Sequence, residues 1–136
     1  MSLRTYSELS RLDSLDDRFD YLVLGGEVGH STFGYNRWLN QSFYRSRDWK
    51  VVRRFVIVRD DGNEMGLFDF PIAGPPQIHH LNPITMEDIE YGSDNLLDPE
   101  NLVCVSHQTH NAIHFGDRSQ LPRIPIAREA GDTRLW

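Results

Sequence analysis

The sequence predicts an α+β fold in a single domain, with a helical N-terminal half followed by a compact β–β–α unit. Three observations carry this expectation. Capped segments of helical apolar period run through residues 1–60. A turn-rich break, "RDDGNEMG", then separates them from a stretch rich in proline and glycine. Beyond it a β-prone run, "NLVCV" (101–105), leads straight into "SHQTHNAIHFG", with a serine to cap its start and a glycine to close it. A chain of 136 residues has room for one sizeable core, not two.

Taken in order, the opening "MSLRTYSELSRLDSLDDRF" is polar and acidic, unlike a signal peptide. "SLDDRFDYLVLGG" (14–26) reads as a helix, with Ser14 and Asp17 in a capping-box pattern and Gly25 and Gly26 ending it. "GYNRWLNQSFYRS" is a second helix. Ser46 caps a third, "RDWKVVRRFVI", on which Trp49, Val52, Phe55 and Val56 share one face and Arg47, Lys50 and Arg54 another. "FDFPIAGPPQIHHL" (68–81) suits an irregular hairpin better than a helix. "TMEDIEYG" is one short helix, and the tail 117–136 is extended, with Trp136 as an apolar anchor.

Charge is unevenly spread. The net charge is −6, yet seven of the 14 lysines and arginines fall between Arg37 and Arg59, with one acid, Asp48, among them. A polyanion can be held there while the acidic remainder faces elsewhere. The competing reading is a solvated helix face. Cys104 is the single cysteine, which excludes an internal disulfide and a knuckle of paired cysteines and suits a reducing, cytoplasmic setting. The longest apolar runs, "YLVL" and "FVIV", are too short to span a bilayer. Trp38, Trp49 and the tyrosines read as core, Glu87, Asp88 and Glu90 as a solvated helix face, and His30 and His107 as loop and surface residues.

Five of the six histidines lie between His79 and His114. His110 and His114 stand at i and i+4 on the expected terminal helix, roughly 6 Å apart at Cβ, and so can reach one ion. A third ligand from "IHH" completes a three-histidine set with positions left open, which is the catalytic rather than the structural arrangement. Neighbours on a strand point to opposite faces, so one histidine of the adjacent pair can face the ion and the other a substrate. An unligated imidazole titrates near neutrality and can take a proton from water. Metal and base then work from opposite sides of one phosphorus.

"IHHLNPI", "NLVCV" and "SHQTHNAIH" together resemble the His-Asn-His (HNH) nucleases of the ββα-metal superfamily. Longer stretches, from "YLVLGGEVGHSTFGYNRWLNQSFYRSRDWK" to "REAGDTRLW", resemble the small HNH proteins of tailed bacteriophages. By position, the resemblance implies metal ligands His79, His110 and His114, a general base His80, and a bracing Asn101. It places a ββα-metal motif over residues 76–116 of one nuclease domain, 1–136. It implies a metal-dependent DNA endonuclease leaving 5′-phosphate and 3′-hydroxyl ends; the uneven charge, read beside it, offers Arg37, Arg45, Arg47, Lys50, Arg53 and Arg54 as DNA contacts. One divalent ion is the implied cofactor. Imidazoles favour zinc, nickel, cobalt or manganese, whereas family members often use magnesium or manganese. Ser106 and Thr109 stand where a zinc-knuckle cysteine pair often sits, so no second, structural zinc is expected. The implied partners are DNA and the phage terminase or packaging proteins, with a homing role as the other biological reading. A different class of function, a metal-stabilised DNA-binding or packaging adaptor without catalysis, is the alternative.

Overall fold

The computed structural model describes residues 3–24 and 35–122, with side chains from residue 38 onward in the second segment. The expected helices and the strand before the last helix are present in order, joined by one helical turn that the sequence did not predict. After a single turn of helix, α1 (Tyr6–Leu9), come α2 (Leu15–Leu22), α3 (Tyr35–Arg45) and α4 (Arg47–Arg59). Strand β1 (Gln77–His80), α5 (Met86–Tyr91), β2 (Leu102–Val105) and α6 (His107–Phe115) follow, with short 3-10 turns between. The fold is thus mixed: helices around one small antiparallel sheet.

Local chemistry explains most boundaries. Ser14, Ser46, Thr85 and Ser106 each accept a hydrogen bond from the backbone N–H three residues on, satisfying an orphan donor at a helix start. Thr85 and Asp88 form a full capping box, which gives Asp88 a local structural job. Gly92 and Gly116 close α5 and α6 in the left-handed conformation. Several expectations need correction. Helix α2 stops at Leu22, before the glycines, which lie outside the described residues, and α4 continues two residues past Ile57. The stretch 68–81 does not fold back on itself as a hairpin. Its one regular strand, β1, pairs instead with β2, Ile78 opposite Cys104 and His80 opposite Leu102. Of the tail, residues 118–120 form a 3-10 turn, and 123–136, with Trp136, lie outside the described residues.

The two-stranded sheet divides the core. One face carries Val103 and Val105, buried with Phe19 and Leu22 of α2 and Ala112 and Ile113 of α6. The other carries Ile78, Leu102 and Cys104 against Trp49, Val56 and Ile57 of α4. This alternation follows from the strand period of two. Buried polar groups pin the layers. Arg59 donates to the carbonyls of Pro99 (2.7 Å) and Leu102 (2.6 Å) and pairs with Asp60, whose carboxylate accepts from the Cys104 N–H at 2.8 Å. Helix α4 is thereby fastened to β2 at its C-terminal end. Gly66, at φ +70°, lets the chain pass close by, since a Cβ there would stand 3.2 Å from both Asp60 Oδ1 and Tyr6 Oη. No helix among the described residues is long and apolar enough to cross a membrane.

Candidate metal centre and its neighbouring histidine

His79 leaves β1 on the face towards α6. His110 and His114 occupy one face of that helix, a turn apart. Their candidate ligand nitrogens all lie within 4.8 Å of one another. The Nε2 atoms of His110 and His114 are 3.0 Å apart, and each of these rings stands edge-on to His79 at a centroid distance of 5.3 Å. Nitrogens sharing one ion at about 2.0–2.1 Å are themselves separated by roughly 3 Å, so this spacing fits a divalent cation. The Nε2 of His79 is fully buried and meets no hydrogen-bonding partner among the described residues. A buried polar atom without a partner costs free energy, and a bound cation is one species that would engage this lone pair. The donor set therefore fits a metal ion.

Electrostatics keep these rings neutral, the state a ligand requires. Burial, reinforced by the neighbouring imidazoles, holds His79 well below the usual histidine value. Burial and then His114 bring His110 down to about 4. Burial alone lowers His114. His107, one turn earlier on α6, is exposed and lies against Gln77 and Asn111 instead. His30 falls outside the described residues.

The position of α6 depends on a residue with no obvious signal in the sequence. Glu64, buried in the turn after α4, accepts hydrogen bonds from Ser106 N (2.6 Å), Ser106 Oγ (2.7 Å) and Thr109 Oγ1 (2.7 Å). The two hydroxyls at the supposed knuckle positions thus fasten the helix start to a carboxylate. Charge-assisted bonds of this length do the anchoring.

His80 turns the other way, towards α4, as the strand period requires. Its ring lies flat against the Trp49 indole, centroids 5.5 Å apart and planes 18° from parallel. Its Nε2 is 3.2 Å from the Leu96 carbonyl oxygen. A carbonyl can only accept, so Nε2 carries the proton and Nδ1 keeps its lone pair. Burial lowers the His80 pKa, while the Leu96 carbonyl and Asp88 work in the opposite direction. His80 remains close enough to the cluster for its charge to depress His110.

Asn101 precedes β2 and is buried. Its Oδ1 accepts from the backbone N–H (2.9 Å) and side chain (2.8 Å) of Asn82, and its Nδ2 donates to the Asn95 carbonyl at 3.0 Å. It ties the loop leaving His80 to the turn whose next carbonyl, that of Leu96, holds the ring. Asn82 extends the tie to Arg4 through two further hydrogen bonds.

The basic residues divide into two groups. Arg45, Arg47, Lys50 and Arg54 are exposed. Arg53 is half-buried and donates to the Pro76 carbonyl at 3.1 Å, so one of the six expected DNA contacts has a structural bond. The Arg37 side chain lies outside those described. Other expected core residues also depart: Phe55 is 54% exposed beside Val51 and Val58 and does not join Trp49 and Val56, and Trp38, Tyr44 and Tyr91 are exposed rather than core.

Comparison of the chain with family models, curated proteins and solved structures returned no match. The class that fold and site define is a small α+β protein with a three-histidine cluster able to hold a metal ion between a β-strand and the helix that follows its partner strand.

Proposed function

We propose that the protein is a metal-dependent DNA endonuclease of the HNH type. The observation that carries this reading is the division of labour between adjacent residues. His79 joins His110 and His114 in one neutral, convergent donor set, while His80 is held by the Leu96 carbonyl at Nε2, and its Nδ1 meets no hydrogen-bonding partner among the described residues. In the proposed reaction a water oxygen bonds to phosphorus, its proton passes to His80 Nδ1, the bond to the 3′ oxygen breaks, and that oxygen takes a proton from solvent water. The products are a 5′-phosphate and a 3′-hydroxyl. His79, His110 and His114 would hold a divalent ion, which when bound would supply a Lewis acid for the charge that develops as the bond breaks. Asn101 holds the His80 loop, and the exposed cations Arg45, Arg47, Lys50 and Arg54 contact phosphates. Three imidazoles favour zinc, nickel, cobalt or manganese over magnesium on ligand grounds. Cleavage is proposed to serve phage DNA packaging or homing, the chain working as a weakly specific nicking enzyme.

One observation favours a second reading. His80 is only 8% exposed, as a purely structural histidine would be. On that reading the protein is a metal-stabilised DNA-binding adaptor. Supercoiled plasmid incubated with Mg²⁺, Mn²⁺, Ni²⁺ or Zn²⁺ separates the two. The nuclease relaxes plasmid with metal and fails with EDTA or with His80→Ala. Plasmid left intact by metal-loaded protein, or cut equally by His80→Ala, sinks the proposed mechanism.

A further inference from the structure

The sequence offers Trp49 as a core residue, and it is one, only 5% exposed within the cluster around Val56 and Leu102. Its contact with His80 exceeds what filling a core requires. We propose that Trp49 is the positioning residue for His80: the indole fixes the plane of the imidazole, and so aims the Nδ1 lone pair. This rests on the nuclease reading for its catalytic consequence.

The argument starts from the freedom a histidine ring has. Its χ2 well is broad and roughly two-fold, so one polar tether leaves the ring free to rock and to exchange edges. His80 has one such tether among the described residues, the 3.2 Å contact from Nε2 to the Leu96 carbonyl. That contact chooses which edge points to Leu96, but it acts at a single atom. A flat aromatic face restrains rotation out of its own plane. Stack and hydrogen bond together leave one orientation.

A clamp must itself be held. The Trp49 backbone N–H donates to the Ser46 cap at 3.2 Å, and Ser46 Oγ in turn donates to the Phe43 carbonyl at 2.6 Å. Phe43 packs on the indole at 5.3 Å and Tyr44 meets it edge-on at 5.0 Å. The indole is thus fixed from the α3–α4 junction, by residues that do not belong to His80's own strand. The same first turn of α4 carries Arg47 and Lys50, so the ring plane and two proposed phosphate contacts belong to one packed piece. A catalytic group displaced by about 1 Å loses on the order of a hundredfold in rate, which makes such a clamp worth having.

The test compares Trp49→Met, which keeps bulk without a flat face, with Trp49→Phe, which restores one. Val56→Ala is the packing control from the same cluster. Trp49→Met is expected to lower the single-turnover cleavage rate at saturating plasmid by about tenfold to a hundredfold, with half-saturating plasmid and metal affinity changed less than about twofold. Trp49→Phe recovers most of the loss, and Val56→Ala keeps the rate despite its lower thermal stability. Phe43→Leu, which removes an aromatic ring packed on the indole, gives an intermediate rate should Trp49→Met not fold. Imidazole ¹⁵N–¹H correlation spectra supply a readout independent of cleavage. His80 shows one Nε2–H tautomer in the native protein, a mixture in Trp49→Met, and one again in Trp49→Phe. A native rate and a single tautomer in Trp49→Met overturn the proposal, as does an equal loss in Val56→Ala. If the native protein cuts nothing, the nuclease reading fails, and the spectra still decide whether Trp49 orients the ring.

Discussion

At the scale of single residues, the informative pair is His79 and His80, neighbours in sequence with opposite environments. His79 has a buried nitrogen that nothing described satisfies, and His80 has a tether and an aromatic wall. The two should therefore fail differently when replaced. His80→Ala is expected to lower the cleavage rate by about 10²–10⁴-fold, the usual contribution of a general base, while metal affinity by calorimetry stays native. His110→Ala removes one of three ligands and should weaken metal binding and cleavage together. Loss of metal affinity in His80→Ala would place that ring among the ligands and break the division of labour.

At the scale of elements, the centre depends on where α6 begins, and Glu64 decides that. Glu64→Ala leaves the Ser106 and Thr109 groups it bound in search of partners, and should destabilise the fold by about 2–4 kcal/mol in urea unfolding. Because α6 carries His110 and His114, metal affinity should fall as well. Native affinity and stability in this variant would show that the helix start is set by the core alone. The same comparison indicates what could be read in advance. Helix α6 was legible in full, because Ser106, Gly116 and the i, i+4 histidines are local signals. The pairing of β1 with β2 was not, since the twenty-odd residues between them hide a long-range register behind a locally plausible proline-rich hairpin. Phe55 obeyed the helical period of its buried neighbours but sits at the edge of that face, where periodicity cannot say how far the neighbouring layer extends. Glu64 and the Trp49 stack were illegible for a further reason. Each acts across more than thirty residues of sequence, and neither a lone glutamate in a turn nor a core tryptophan announces its partner.

At the scale of the whole molecule, charge works in two ways. The exposed cations of α3 and α4 predict DNA binding that weakens with salt, and Arg47→Ala or Arg54→Ala should each reduce the slope of log K against log salt by about 0.9 if it neutralises one duplex phosphate. A slope unchanged in both variants would remove α4 from the interface. The histidine cluster acts on stability itself. All four rings, His79, His80, His110 and His114, are shifted below the usual 6.5, so the folded protein keeps them neutral. The unfolded chain protonates as pH drops through about 6.5, while the fold resists until nearer 4 at His110. Below 6.5 the unfolded state thus binds more protons, and stability, complete above that value, is lost as pH falls towards 4. For His110 alone the shift corresponds to about 3 kcal/mol once both states are protonated. Metal binding draws on the same neutral rings, so the metal should raise Tm strongly at pH 7.5 and progressively less in acid. Thermal unfolding of metal-free protein from pH 7.5 to 4.5 checks this, with His110→Asn as the comparison whose curve should be flatter. A Tm that holds steady or climbs as the metal-free protein is acidified would mean that these imidazoles are not neutral in the fold, and the proposed donor set would lose its chemical basis.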